Sequence, residues 1–225
     1  MLLVGHLPGH SVGLAIIILT VIVRTALFPL TGKSIRAQKA MKELEPEIKK
    51  IREKYKDNKQ EQSKKTMELY QEKGVTPFSG CLPLFIQIPI IIGLYMVFKG
   101  LLTLDSSQLY SFVSHPGALD MHFLFFNLAA KSSILAATAG IAQYFQADLS
   151  LGRQAASTPI KNGATPTFQE DFAKSMQMQM RYVLPVMISF IAYNASAAVA
   201  LYWTTSNILS IMQELLIRRK SAQAK

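Results

Sequence analysis

The longest uncharged stretch of this chain, Tyr182 to Gln213, runs for 32 residues without a formal charge. A single helix of that length would reach about 48 Å at ~1.5 Å per residue, well beyond the ~30 Å hydrocarbon core of a bilayer. Its centre, Asn194 to Ala198, is small and polar. We therefore predict two short membrane-spanning helices that are joined by a tight hairpin turn.

Three further stretches are apolar enough to be spans. Val12 to Leu30 has 19 residues, is charged only at Arg24, and would cover roughly 28 Å as a helix. A second span runs from about Leu82 to Phe98. A third, from about Ser132 to Gln146, is short and carries several polar residues. Together with the hairpin, these stretches predict five spans.

One segment, Lys33 to Lys73, differs in kind, because it holds 13 of the 24 basic residues and eight acidic ones. Its apolar residues recur at the three- and four-residue spacing of amphipathic helices. Asp57 and Asn58 are typical of a turn between two such helices. We predict a helical hairpin outside the membrane, whose apolar stripes are formed by Met41, Leu44, Ile48, Ile51 and Tyr55, and by Met67 and Tyr70.

The distribution of basic residues predicts the orientation of the chain. With five spans, the hairpin, the loop after the third span and the C-terminal tail share one side, which holds 21 of the 24 Lys and Arg residues. The segment Leu101–Ala130 on the other side has none. The positive-inside rule makes the basic side cytoplasmic, with the N-terminus outside and the C-terminus inside. The net charge of +10 therefore follows this topology and predicts no direct nucleic-acid site.

Arg24 is the one charge inside the first span, about seven residues from its cytoplasmic end, or roughly 10 Å deep. Two interpretations are open: the side chain reaches back to the headgroups, or it faces a wet cavity between helices. Thr20 and Thr31 lie near the same stripe. No Asp or Glu lies in the other predicted spans within residues 82–98, 132–146 and 182–213, so Arg24 has no obvious ion-pair partner inside the membrane. We predict that Arg24 contacts water, carbonyls or an acidic group of a visiting molecule.

Polar residues also recur at helical spacing in other spans. Gln143 and Gln146 are three apart in the third span. Tyr202, Ser206 and Gln213 fall near one face of the last span, with Trp203 beside them. Each alone is explained by a hydrogen bond between helices. Together they favour a groove that is polar inside the membrane.

The sequence has none of the usual signatures of catalysis. It lacks HExxH, GxSxG and GxxxxGK[ST] motifs and any Cys/His cluster with metal-ligand spacing. A single cysteine, Cys81, excludes a disulfide within the chain. We predict a protein that is not an enzyme and has no catalytic residue, metal site or cofactor.

Three motifs resemble the YidC family of membrane protein insertases, with its mitochondrial and thylakoid relatives. They are Val23–Leu30, Pro77–Pro89 and Leu201–Asn207, in the family's order, with a basic hairpin after the first. The resemblance implies a five-span core, a cytoplasmic hairpin, and a hydrophilic groove open to cytoplasm and lipid but closed outside. It matches Arg24 to the groove arginine, and Gln143 and Trp203 to polar or aromatic groove positions, with Gln146 competing with Gln143.

The predicted fold is an all-α membrane protein with five transmembrane helices around a hydrophilic groove, plus a cytoplasmic helical hairpin. Its groove residues are Arg24, Thr20, Gln143, Gln146, Tyr202, Trp203 and Ser206. Its divisions are an outside segment with the first span (1–31), the cytoplasmic hairpin (32–79), the second span (80–100), an extracytoplasmic segment (101–130), the third span (131–147), a cytoplasmic loop (148–180), the fourth span (181–195), the fifth span (196–217) and a cytoplasmic tail (218–225).

The predicted function is that of an insertase in the bacterial inner membrane, which moves short hydrophilic segments partway through the groove and releases substrate helices into lipid. Its partners would be nascent membrane proteins and the lipid bilayer, with the ribosome, the signal recognition particle system and the Sec translocon as further candidates. The basic tail would contact the ribosome or simply anchor the topology. The alternatives are a small transporter or channel with a charged gate, and a purely structural subunit.

Overall fold

The computed structural model describes residues 7, 10–75, 87–93, 96, 119–152 and 175–223. Over these residues the chain is mostly helical, in agreement with the predicted all-α class. Its elements are, in chain order, helices α1 (Val12–Ala26), α2 (Phe28–Glu43), α3 (Glu45–Lys54) and α4 (Lys59–Glu72), strands β1 (His122–Phe123) and β2 (Phe126–Asn127), helix α5 (Ser133–Leu151), a π-helix (Gln179–Val183), and helices α6 (Leu184–Ala195) and α7 (Ala197–Gln223).

Several predictions from the sequence lie outside the described residues. They concern Cys81, residues 101–118 and 153–174, and most of the predicted second span and of the Pro77–Pro89 motif. Within the predicted second span, residues 87–93 are described and are helical. None of the described helices, taken singly, has both the length and the apolarity of a bilayer span, whereas α1 and α2 together meet that criterion as a pair bent by 63°.

The first span is divided by a bend. Helix α1 starts after Ser11, whose side chain accepts a hydrogen bond from the Leu14 amide, and it ends at Ala26 rather than at Leu30. Leu27 joins it to α2, which has Pro29 in its first turn. Proline has no N–H to donate four residues back, so the helical ladder is interrupted there. The bend separates the apolar α1 from the charged α2.

The charged segment is the predicted helical hairpin with its first arm divided into two helices, α2 and α3. A break at Leu44 separates α2 from α3, which carries Pro46 in its first turn. Helices α3 and α4 pack on each other through Leu44, Ile48 and Leu69, all of which are buried. Asn58 caps α4 by accepting a hydrogen bond from the Glu61 amide. Met67, expected in the stripe, is exposed instead, and the neighbouring Leu69 takes the buried position.

The core lies where α5 packs against α6 and α7. Small residues such as Ala136, Ala139 and Ala192 are buried at these contacts and let the helices approach closely. Helices α6 and α7 meet at Ser196, which has an extended backbone inside the predicted turn 194–198. The first amides of α7 donate to carbonyls just before α5 (Ala197 N to Ala130 O, 2.8 Å), so the turn leaves those donors satisfied.

A short antiparallel ribbon lies at the same end of the molecule. Strand β1 pairs with β2, and Asp120 accepts a hydrogen bond from the Val12 amide at the start of α1. The tip residues Leu124 and Phe125 are 77% and 97% exposed. Gly13 allows the Phe123 ring to lie against α1, since a Cβ at that position would come within 2.3 Å of the ring.

The contact between α5 and α6 gives a first stability prediction. At Gly140 an added Cβ would lie 1.9 Å from Ser189 Oγ and 2.9 Å from the Pro185 carbonyl oxygen. We expect Gly140→Ala to destabilise the protein by about 1–3 kcal/mol, the usual effect of overpacking. Thermal unfolding in detergent measures this change as a lower Tm.

Two variants serve as controls for this prediction. Adding Ser189→Ala to Gly140→Ala removes one clashing atom but not the carbonyl, so it should restore part of the Tm. Gly32→Ala meets only Ile217 Cδ1 at 3.7 Å, an ordinary contact, and should leave the Tm almost unchanged. An equal loss of Tm in Gly32→Ala and Gly140→Ala would contradict the packing explanation.

Candidate functional site

Arg24 lies near the end of α1 and its guanidinium points to α7. Its Nε and Nη2 both donate to Ser206 Oγ, at 3.1 and 2.5 Å. Ser206 is 1% exposed, whereas Arg24 is only partly buried. The guanidinium thus contacts a side-chain hydroxyl of a neighbouring helix, a partner that was not among the predicted ones, and whether it also faces a wet cavity stays a prediction.

The charge of Arg24 is not neutralised by the part of the chain that the structure describes. No Asp or Glu of the described residues lies within 4.0 Å of its guanidinium, and its acceptor, Ser206, is a neutral hydroxyl. A hydroxyl satisfies hydrogen bonds but supplies no opposite charge, so the electrostatic attraction of Arg24 for an acidic group persists.

Gln213, which was not among the predicted groove residues, supports this arrangement from one side. Its Nε2 donates to the Arg24 carbonyl oxygen at 3.1 Å, next to the bend after α1. Gln213 is buried, and its Oε1 has no hydrogen-bond partner among the described residues. Gln213 follows Ser206 by seven residues, or two helical turns, and this spacing in the sequence places both side chains on the same face of the helix.

Thr20 and Tyr202 lie close to this pair along their own helices. Thr20 is buried one turn before Arg24, and its hydroxyl donates to the Ile16 carbonyl at 2.6 Å. Tyr202 is buried one turn before Ser206, and its hydroxyl accepts a hydrogen bond from Gln87 Nε2 at 3.0 Å. Tyr202 thus links the described part of the second span to α7.

Trp203, Gln143 and Gln146 make no hydrogen bond to Arg24 among the described residues. Trp203 is 6% exposed and belongs to the apolar core. Gln143 is buried and donates to Gln146 Oε1 at 3.4 Å, and Gln146 donates to Ser150 Oγ at 3.0 Å. These hydrogen bonds run along α5 toward its C-terminal end. The structure therefore brings together Arg24 and Ser206, with Thr20 and Tyr202 one turn away.

A second polar cluster, the cationic junction, lies at the C-terminal end of α5. Three basic side chains from three other elements donate to carbonyls of this end: Lys42 of α2 to Ser150, Arg181 of the π-helix to Gly152, and Arg218 of α7 to Leu149. The last carbonyls of a helix lack partners within it and carry its negative dipole end, so cations are favourable there.

Two carboxylates complete the cationic junction. Asp148 pairs with Arg181 at 3.0 Å, and Glu214, only 3% exposed, pairs with Arg218 at 2.6 Å. Burial and the nearby Arg218 lower the pKa of Lys42. Gly152 has φ +75°, and a Cβ there would lie 3.1 Å from Lys42 Nζ, so glycine makes room for the ammonium group.

Comparison with known proteins matches nearly the whole chain. The model of the family described as 60Kd inner membrane protein matches residues 3–224. The membrane protein insertase YidC of Oceanobacillus iheyensis is 36% identical over 216 residues, which are 94% of this chain and 76% of that protein.

Two further relatives carry the same kind of name. The membrane protein insertase MisCA of Bacillus subtilis is 34% identical over 96% of this chain and 73% of its own length. The membrane protein insertase YidC of Fusobacterium nucleatum is 33% identical over 93% of this chain and 87% of its own length. The resemblance found in the three sequence motifs is thereby confirmed.

Proposed function

Because this chain belongs to the 60Kd inner membrane protein family, whose matched members are named membrane protein insertases, we propose that it inserts nascent membrane proteins through a polar groove centred on Arg24. The groove is formed by α1, α5, α7 and the second span. Thr20, Tyr202 and Ser206 line it near the arginine, Gln143 and Gln146 lie toward its cytoplasmic end, and Trp203 closes it with apolar surface.

The observation that supports this proposal is that the positively charged guanidinium of Arg24 is hydrogen-bonded to a neutral side chain. Ser206 orients the guanidinium of Arg24 without cancelling its charge. A carboxylate of a substrate placed about 4 Å away would gain on the order of 4 kcal/mol at an effective dielectric constant of about 20. That attraction offsets part of the cost of bringing an acidic segment into the membrane.

Release of the substrate is driven by its own apolar residues. Each apolar residue at the centre of a new span contributes roughly 0.3–0.6 kcal/mol, so about 20 of them supply the net driving force. Helix α6 presents a wide apolar face, with Val186 and Phe190 70% and 69% exposed. Such a face suits contact with lipid or with an emerging substrate helix.

The proposed topology has five spans, with the N-terminus outside and the C-terminus cytoplasmic. Helix α6 continues the π-helix without a break, so residues 175–195 are helical over about 32 Å, enough to cross the hydrocarbon core. The cytoplasmic hairpin 32–79 would receive the substrate or contact the ribosome, the signal recognition particle system or the Sec translocon.

Reconstitution tests the function directly. Liposomes containing the protein should insert a single-span substrate that carries a short acidic extracytoplasmic tail, as measured by protection of the tail from added protease. Liposomes without the protein are the control. The rival transporter or channel predicts release of a trapped small solute, which an insertase should not cause. Solute release without insertion would refute the proposal in favour of the rival.

A further inference from the structure

A small pocket of about 80 Å³ lies beside the cationic junction, between α2 and α7. Its volume exceeds the ~30 Å³ that a water molecule occupies in the liquid, so a group larger than one water fits. Ile35 contributes an apolar edge, and the polar lining consists of Gln38, Lys39, Lys42, Ser150, Glu214 and Arg218.

The charges in this pocket do not balance. Glu214 is already engaged, because Arg218 donates to one of its oxygens at 3.0 and 2.6 Å and Ser150 donates to the other at 2.5 Å. Lys42 donates to a neutral carbonyl, and neither it nor Lys39 lies within 4.0 Å of a carboxylate of the described residues. Three cations therefore share one carboxylate, and an anion would relieve the excess.

The electrostatic surroundings of Lys42 agree with this excess. Burial is the main cause of its lowered pKa, followed by repulsion from Arg218; Arg181 adds to the repulsion, and Glu214 and Glu45 oppose it. The attraction of the two carboxylates thus does not outweigh the combined effect of burial and the other cations. A second negative charge in the pocket would favour the protonated ammonium group.

The surroundings of the pocket distinguish a lipid from a soluble anion. The next residue of α7, Leu215, is 44% exposed and lies about 100° around the helix from Glu214. Ile35 and Leu215 place apolar surface beside the basic groups. In the proposed topology this is the level of the cytoplasmic headgroups. A phospholipid offers both a phosphate and acyl chains, whereas a free anion offers only the first.

We propose that this pocket binds the phosphate of an anionic phospholipid, with Lys39 and Lys42 as its main donors and the acyl chains along Ile35 and Leu215. Charge-assisted hydrogen bonds from ammonium groups to phosphate are short and strong. The bound lipid would bridge the base of the hairpin and the last helix. This site is separate from the groove at Arg24 and does not depend on substrate insertion.

Lipid retention tests this site without any substrate. The protein is purified from nanodiscs with equal amounts of phosphatidylglycerol and phosphatidylethanolamine, and the retained lipids are counted by native mass spectrometry. Phosphatidylglycerol should be retained selectively. A cation near the headgroup contributes ~1 kcal/mol, so Lys39→Gln should lower its retention about fivefold. Lys39→Arg should restore it.

The matched control is Lys33→Gln, which removes the same charge from an exposed position of the same helix. Its retention of phosphatidylglycerol should equal that of the unaltered protein. Equal losses in Lys33→Gln and Lys39→Gln would overturn the pocket, as would equal retention of both lipids. Inorganic phosphate should not displace the lipid; full displacement would show a site for soluble anions instead. These experiments count retained lipids and do not measure insertion, so they can fail or succeed independently of the proposed insertase activity.

Discussion

Arg24→Ala is expected to slow the insertion of a substrate with an acidic tail by about ten- to a hundredfold. This range corresponds to the loss of one hydrogen-bonded charge interaction of roughly 1.5–3 kcal/mol. The physical reason is that the described residues supply no carboxylate to Arg24, so its attraction is left for the substrate. Initial rates of protease protection in reconstituted liposomes measure the effect.

Two variants separate the charge of Arg24 from its structural contact. Ser206→Ala removes the hydroxyl that accepts from Arg24 but leaves the charge in place, so the insertion rate should fall much less. Arg24→Lys keeps a positive charge without the planar guanidinium, and its activity shows whether charge alone suffices. A substrate with a neutral tail should be almost indifferent to Arg24→Ala. Equal slowing of acidic and neutral tails would overturn the attraction mechanism.

Glu214→Ala is expected to cost about 3 kcal/mol of stability, the lower end of the range for breaking a buried ion pair. Glu214 is almost fully buried and holds both Arg218 and Ser150. Without it, the cationic junction keeps three basic groups around one remaining acid, Asp148. We expect a Tm several degrees lower in thermal unfolding of the purified protein in detergent.

A double-mutant cycle locates the origin of this loss. Combining Glu214→Ala with Arg218→Ala removes both charges, so the double variant should lose less than the sum of the single variants. Arg219→Ala is the matched control, because Arg219 is the exposed neighbour of Arg218 on the same helix. If Glu214→Ala and Arg219→Ala unfold at the same temperature, Glu214 does not hold the junction together.

The breaks between helices were accessible from the sequence because local chemistry determines them. Pro29 and Pro46 each lie in the first turn of a helix that follows a break, at Leu27 and Leu44. The small residues around Ser196 similarly mark the turn between α6 and α7. Proline lacks an amide donor wherever it occurs, so its effect can be inferred without knowledge of the rest of the fold.

Contacts between distant residues were much less accessible. The charge of Arg24 and its depth in the first predicted span indicated a functional role. Its hydrogen-bond acceptor, Ser206, is 182 positions away in the sequence. The way α1 packs against α7 determines that these two side chains meet. Gln213 shares a helical face with Ser206, yet its contact with the Arg24 carbonyl depends on the bend after α1. Periodicity defines the faces of one helix and not the partner that each face meets.

Trp203 shows the limit of helical spacing. It follows Tyr202 directly, so the two side chains lie about 100° apart around α7. Both side chains pack into the apolar core, but only the Tyr202 hydroxyl also accepts a hydrogen bond from Gln87 among the described residues. Whether an aromatic ring faces a groove or a core depends on the neighbouring helices, which the sequence of one helix does not specify.

The capping of α5 also has a consequence for the order in which this protein is made. Lys42 and Ser150 are 108 positions apart, and Leu149 and Arg218 are 69 apart. The ribosome synthesises α2 before α5 and α7 after it. The Leu149 carbonyl at the end of α5 therefore has no contact with Arg218 until α7 has been made. Contacts this remote in sequence form late. During its own synthesis the nascent protein therefore exposes the carbonyl groups at the end of α5 until α7 has been made.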